Sequence, residues 1–150
     1  MIGVGNPWRG DDAAGLHTAR ALRPLLPPAV EVLEETGEPT SLLDRFAASD
    51  VLWLVDAVRS GAAPGTIHRL DVAAAELPAE LFRTSTHHLG LAEAVELARA
   101  LGRLPRQLAV FGIEGADFSA GEALSPPVAR AVPKVAALIA EEVDACTKRR

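Results

Sequence analysis

The sequence predicts a three-layer α/β/α sandwich around a mostly parallel, mixed sheet of about five strands. Short apolar runs alternate with segments whose apolar residues recur at helical spacing, as in a sheet covered by helices on both faces. The run VLWLV at residues 51–55 is continuous and apolar, which is typical of a strand buried on both faces. A length of 150 residues suits one domain, so residues 1–150 are expected to fold as one unit.

Five strands are predicted, each as a short apolar run bounded by turn residues. In chain order they span residues 1–5, 30–34, 51–55, 66–70 and 108–113. The fourth alternates apolar and polar residues, which favours a position near an edge of the sheet. Asp56 is expected to end the third strand, because a carboxylate directly after five apolar residues belongs at the rim of the sheet.

Helices are predicted where apolar residues recur every three to four positions. In chain order they span residues 12–23, 41–48, 91–101 and 126–143. Pro24 ends the first and Gly102 ends the third, while Ser125 is a typical N-cap for the last. Pro133 is expected to bend or delay that last helix. The pattern at residues 73–82 is ambiguous.

Charge and composition exclude several classes of function. The 20 acidic and 15 basic residues give a net charge of -5, and the only basic run is the terminal KRR, so no nucleic-acid partner is expected. No apolar run approaches the roughly 20 residues of a membrane helix, and no signal peptide is visible, so we expect a cytoplasmic protein without a membrane partner. The single cysteine, Cys146, lies in a helical pattern and predicts an inert thiol.

Acidic residues cluster at the expected rim of the sheet, where open α/β sheets bind ligands. Asp56 follows the third strand, and Asp11 and Asp12 open the first helix. Adjacent side chains at a helix N-terminus diverge by roughly 100°, so Asp11 can cap backbone amides while Asp12 faces a cleft. A backbone-capping role is the alternative for Asp56.

Two of the four histidines, His87 and His88, lie in a polar loop that precedes the third helix. One of them, with Asp12 and Asp56, would offer two oxygens and one nitrogen. That donor set suits a zinc or nickel ion with coordination positions left open. These residues are far apart in sequence, so their convergence depends wholly on the fold.

Two other interpretations of the rim have less support. Gly3 and Gly5 lie between a strand and a helix, as in dinucleotide-binding turns, but the third glycine of that fingerprint is absent and Trp8 is expected to obstruct a pyrophosphate. Ser85 lacks the Gly-x-Ser-x-Gly context of a serine nucleophile. A small nucleotide-binding protein therefore remains an alternative.

An opening signature and five later blocks, in the same order, resemble the hydrogenase maturation proteases. The signature is GVGNPWRGDDAAG at residues 3–15, and the later blocks lie at residues 54–58, 64–66, 85–91, 112–114 and 124–126. The resemblance covers nearly the whole chain. It implies an α/β/α sandwich and a metal-dependent, aspartic-type endopeptidase.

That family removes the C-terminal extension of the nickel-iron hydrogenase large subunit after nickel insertion, so the resemblance implies a large-subunit precursor as the partner. It also implies that Asp12, Asp56 and His87 bind the metal and form the catalytic group, with His88 as the alternative to His87. Nickel supplied by the precursor is the expected metal, and zinc or cadmium could occupy the site in vitro. A non-catalytic nickel-binding checkpoint module with the same ligands is the alternative function, and a monomer is expected.

Overall fold

Five strands form one mixed sheet in the computed structural model, which describes residues 1–82 and 90–149. The strands are β1 (Ile2–Val4), β2 (Leu33–Glu35), β3 (Val51–Val58), β4 (Ile67–Asp71) and β5 (Gln107–Glu114). Their spatial order is β2-β1-β3-β5-β4, and β4 pairs antiparallel with β5 at one edge while the other pairs are parallel. The predicted sheet and its edge strand are therefore confirmed.

Helices cover both faces of this sheet. They are α1 (Ala14–Leu22), α2 (Pro39–Ala47), α3 (Leu91–Ala100) and α4 (Pro126–Lys148), with shorter 3-10 turns at Gly10–Ala13, Arg23–Leu25 and Ala79–Phe82. Helices α1 and α4 share one apolar core, whereas α2 and α3 share the other. Alternate residues of β3 supply the two cores, with Trp53 and Val55 in the first and Leu54 and Val58 in the second.

The third strand is longer than its apolar run indicates. Strand β3 continues through Asp56 to Val58, because its backbone pairs with β5 over the whole length, up to Val58 opposite Glu114. Asp56 therefore lies inside the strand, opposite Gly112, and does not end it as predicted. Period-two alternation puts its side chain on the face of Leu54 and Val58.

The last helix runs without interruption past a proline. Helix α4 begins directly after Ser125 and contains Pro133, so the predicted delay is wrong. A proline inside a helix costs roughly 3 kcal/mol. Here the flanking residues Val132, Val135 and Ala136 are buried in the first core, and that burial offsets the cost.

Helix α1 lies directly on the sheet at its first turn. A Cβ atom added to Gly15 would lie 2.3 Å from the carbonyl oxygens of both Val4 and Val55, so only glycine allows this approach. The contact fixes the turn Gly10–Ala13, which directly precedes α1, beside the ends of β1 and β3. Among the described residues, none of the helices combines the length and the apolar character that crossing a membrane requires.

Candidate active site

Asp12 and Asp56 come together although they lie on different elements. Asp12 belongs to the turn before α1 and is 6% exposed, and Asp56 belongs to β3 and is 7% exposed. Both line one cavity of about 20 Å³. Its other lining residues are Val4, Gly5, Thr36, Gly37, Gly90 and Leu91. The fold thus brings the two predicted carboxylates to one small cavity.

The two carboxylates are coupled electrostatically. Burial raises the pKa of Asp56 well above its usual range, and the charge of Asp12 raises it further. The backbone N–H of Ala57, which donates to Asp56 Oδ1 at 2.8 Å, opposes this shift only in part. Asp12 Oδ2 accepts the backbone N–H of Asn6 at 3.1 Å. A buried pair of this kind is stabilised by a proton or a cation, so its donor oxygens fit a divalent metal ion.

The third predicted ligand lies outside the described residues. Within residues 1–82 and 90–149, no group of three or more His, Cys, Asp or Glu side chains could hold a metal ion. His87, its alternative His88 and the rejected nucleophile Ser85 all lie between these two ranges. A histidine ligand therefore remains a prediction.

Asp11 has a different task from its neighbour. Its carboxylate accepts the backbone N–H groups of Ala116, Asp117 and Ser125, at 2.8, 2.9 and 2.7 Å, and the Ser125 hydroxyl at 2.8 Å. The predicted division between Asp11 and Asp12 is therefore present, but the amides that Asp11 binds belong to a loop 105 to 114 positions further along the chain. Asp11 does not cap its own turn. It ties the turn that carries Asp12 to the segment between β5 and α4.

Glu114 organises the neighbouring part of the rim, and no sequence pattern singled it out for this role. This residue ends β5 and is 1% exposed. It accepts the Ser60 N–H and hydroxyl, both at 2.7 Å, and the Gly61 N–H at 3.1 Å, and His68 Nε2 lies 3.1 Å from it. Burial would raise the pKa of Glu114, but the hydrogen bonds from Ser60, His68 and Gly61 lower it more. The loop after β3 is thereby held against β5.

The cavity leaves no room for a dinucleotide at the glycine-rich start. A volume of about 20 Å³ suits one water molecule or ion. A Cβ atom on Gly5 would lie 2.1 Å from the carbonyl oxygen of Asp12, so the turn is already closed onto the strand. The Trp8 side chain is 63% exposed, and its obstruction of a pyrophosphate stays a prediction. Close packing of the turn is the obstruction that the structure shows.

Larger cavities lie at the opposite end of the sheet. They have volumes of about 530 and 450 Å³, and both are lined by the first residues of β3. Cys146 lines both of them and is half-buried. The cysteine is therefore remote from Asp56, which lies near the other end of the same strand. Thiol chemistry at the carboxylate cavity is excluded.

This chain is similar to proteins named for hydrogenase maturation or for hydrogenase expression and formation. The HycI family model, described as hydrogenase maturation protease, matches residues 16–142. The hydrogenase 2 maturation protease of Escherichia coli K12 is 35% identical over 133 residues, which are 85% of this chain and 79% of that protein. The hydrogenase expression/formation protein HupD of Thiocapsa roseopersicina is 30% identical over 133 residues, 85% of this chain and 59% of that protein. The chain thus spans about three fifths of that relative's length.

Solved structures of this group share the fold. The solution structure of an endopeptidase from Escherichia coli has a TM-score of 0.79 at 29% identity, covering 92% of this chain and 86% of that one. The hydrogenase maturating endopeptidase HybD of Escherichia coli has a TM-score of 0.72 at 28% identity, covering 99% and 90% of the two chains. Because the family model matches most of its length and the folds agree, this chain belongs to the hydrogenase maturation protease family.

Proposed function

We propose that this protein is an endopeptidase that removes the C-terminal extension of a nickel-iron hydrogenase large-subunit precursor after nickel insertion. The observation that supports this proposal most directly is the buried pair Asp12 and Asp56 on a cavity the size of a single ion. Relatives named as hydrogenase maturation proteases support the substrate class. The enzyme is aspartic in the sense that, among the described residues, the carboxylates of Asp12 and Asp56 are the reactive groups that line its cavity.

Asp12 and Asp56 bind the nickel that the precursor already holds, so the enzyme cleaves only a precursor that contains its metal. Each carboxylate supplies an oxygen donor. Burial and the charge of Asp12 favour a proton on Asp56, and a bound cation takes the place of that proton. A divalent metal bound here would polarise the scissile carbonyl or lower the pKa of a water molecule. Zinc or cadmium would serve as a probe of the same site in vitro.

His87 completes the ligand set in this proposal. Gly90 and Leu91 line the carboxylate cavity, and Gly90 is three residues after His87. An imidazole nitrogen beside two carboxylate oxygens suits nickel or zinc. The neighbouring His88 serves as the matched control.

The deciding experiment incubates the protein with nickel-loaded and nickel-free precursor and measures the mass of the large subunit. The expected result is loss of a short C-terminal peptide from the loaded form alone. If the loaded precursor binds stably and keeps its full mass, the protein is a checkpoint module and the proposal is wrong.

Ligand variants test the residue assignments in the same assay. We expect Asp12→Asn, Asp56→Asn and His87→Ala each to abolish cleavage, whereas His88→Ala cuts the precursor normally. Asp44→Asn, which removes an exposed carboxylate from α2, is the control for charge alone. Normal cleavage by His87→Ala together with loss of cleavage in His88→Ala would transfer the ligand role to His88.

A further inference from the structure

Trp8 is the most exposed large apolar side chain among the described residues, at 63%. It lies between β1 and the turn Gly10–Ala13, four residues before Asp12. A largely solvated indole contributes little to folding, because tryptophan stabilises a protein mainly through the large area that it buries. The presence of tryptophan so close in sequence to Asp12 therefore requires another explanation.

The backbone beneath Trp8 is rigidly held. Residues 6–9 form a β-turn in which the N–H of Arg9 donates to the carbonyl of Asn6 at 3.4 Å, and Pro7 occupies the position that favours proline. The Trp8 N–H donates to Asn6 Oδ1 at 2.9 Å. The Trp8 carbonyl accepts the N–H of Gly121 at 2.9 Å. Tight turns are dominated by small and polar residues, so the turn itself does not require tryptophan here.

The same turn is bonded to the carboxylate pair. Asn6 accepts from Trp8 through its side chain and donates through its backbone N–H to Asp12 Oδ2 at 3.1 Å. Two hydrogen bonds thus connect the backbone of Trp8 to the Asp12 carboxylate. The backbone of Trp8 is thereby tied to Asp12, whose carboxylate would bind the precursor's metal.

We propose that Trp8 is the docking residue for the extended precursor segment that flanks the scissile bond, and that its indole packs against an apolar side chain of that segment. This inference rests on the proposed function and names the substrate contact of the same site. A precursor whose metal occupies the Asp12 and Asp56 cavity must pass over the rim of the sheet. Trp8 lies in the turn that follows β1 at this rim. Tryptophan is enriched among the residues that dominate binding energy, and a backbone already held by hydrogen bonds loses little entropy on docking.

Fluorine NMR tests the contact directly. The chain has two tryptophans, Trp8 and the buried Trp53, whose Nε1 donates to Glu142 at 2.9 Å near the opposite end of the sheet. Enzyme labelled with 5-fluorotryptophan is titrated with unlabelled, nickel-loaded precursor, and Trp53 serves as the internal reference. The Trp8 resonance should change its chemical shift while that of Trp53 stays in place. Precursor binding without a shift of Trp8 would overturn the proposal, as would a Trp8 shift that follows enzyme concentration alone and so reports self-association.

Kinetics supply the second test. Trp8→Ala should lower kcat/KM for the loaded precursor at least tenfold, Trp8→Phe should restore most of it, and the affinity for zinc should not change. Leu25→Ala, which removes a 56% exposed side chain from the turn that follows α1, is the matched control and should cleave like the wild type. Wild-type kinetics in Trp8→Ala would overturn the docking role. If the wild type itself leaves the precursor uncut, the proposed function fails, and the fluorine shift still decides whether Trp8 binds the precursor.

Discussion

Asp56 and Asp12 line one small cavity, where burial raises the pKa of Asp56 and the charge of Asp12 raises it further. The interaction joins the turn before the first helix to the central strand, two parts of the chain that meet only in the folded protein. Elsewhere in the fold, buried carboxylates are compensated: Asp11 and Glu114 each accept several hydrogen bonds. At Asp56, by contrast, burial and the charge of Asp12 outweigh the hydrogen bond from the Ala57 N–H, so ionisation of this carboxyl opposes folding.

The Asp56→Asn variant should be more stable than the metal-free wild type at neutral and alkaline pH. A carboxyl group whose pKa is raised on folding binds more protons in the folded state, so stability is full below the unfolded pKa, about 3.9, and falls as pH rises toward the folded value. The asparagine removes this dependence. Urea unfolding at pH 5 and pH 8 in the presence of a chelator measures it, with Asp44→Asn as the control.

Metal binding should move in the opposite direction in the same variant. Asp56→Asn removes one of the two carboxylate donors, and we expect zinc affinity to fall about 100-fold or more, since even indirect ligand supports contribute 10- to 100-fold. Isothermal titration calorimetry with zinc measures the change. A variant that is more stable yet binds zinc as tightly as the wild type would exclude Asp56 as a ligand.

The Asp11→Ala variant should lose both stability and activity. Four hydrogen bonds to a charged acceptor disappear, and three partly buried backbone N–H groups lose this partner. A hydrogen bond to a charged group contributes about 1.5–3 kcal/mol, so we expect the free energy of unfolding to fall by about 3 kcal/mol. Chemical denaturation measures this loss. Asp117→Ala, which removes an exposed carboxylate from the same loop, should cost less than about 1 kcal/mol.

The sequence predicts the fold well because its signals are local. Apolar runs and helical spacing locate the strands and helices, and the edge position of β4 follows from its alternating pattern. The sequence does not predict the end of β3. A strand ends where its neighbour stops pairing with it, and the partner of Val58 is Glu114, 56 positions away. Asp56 lines the carboxylate cavity as its polarity suggests, but it does not end the strand.

The candidate site, like the fold, is predictable from the sequence only where the signals are local. Divergence of adjacent side chains separates Asp11 from Asp12, and this follows from backbone geometry alone. The partners of Asp11 lie in the loop before α4, and no local pattern indicates them. The role of Glu114 is likewise not predicted, although the residue lies in the block at residues 112–114, because a carboxylate at the end of an apolar strand does not reveal that Ser60 and His68 converge on it.

The Glu114→Gln variant should be destabilised at neutral pH and less so in acid. Because the pKa of Glu114 is lowered on folding, its carboxylate stabilises the protein above the unfolded pKa, about 4.3, and this contribution is lost as pH falls through the folded value. Hydrogen bonds to charged groups contribute about 1.5–3 kcal/mol, so we expect a loss of about 2 kcal/mol at pH 7. Urea unfolding between pH 3 and pH 7 measures it. A difference from the wild type that stays constant over this range would contradict the assignment, and exposed Glu122→Gln is the control.

The Gly15→Ala variant tests how far the carboxylate pair depends on the seating of α1. Helix propensity alone would favour alanine by about 1 kcal/mol, whereas the added Cβ would lie 2.3 Å from the Val4 and Val55 carbonyl oxygens, which belong to the strand backbone and cannot turn away. Overpacking of this kind costs about 1–3 kcal/mol or more. The sign of the change in the free energy of unfolding therefore shows whether helix propensity or steric overlap dominates.

We expect Gly15→Ala to lower the free energy of unfolding by about 3 kcal/mol. Zinc binding should also weaken, because α1 must move away from the sheet and thereby increase the distance between Asp12 and Asp56. Gly102→Ala is the matched control. Its Cβ would meet nothing within 4 Å, and its positive φ of 66° costs an alanine only about 1–2 kcal/mol. Zinc affinity should be unchanged there. If Gly15→Ala loses stability but keeps its zinc affinity, the carboxylate pair is held by the Asp11 hydrogen bonds rather than by the contact of α1 with the sheet.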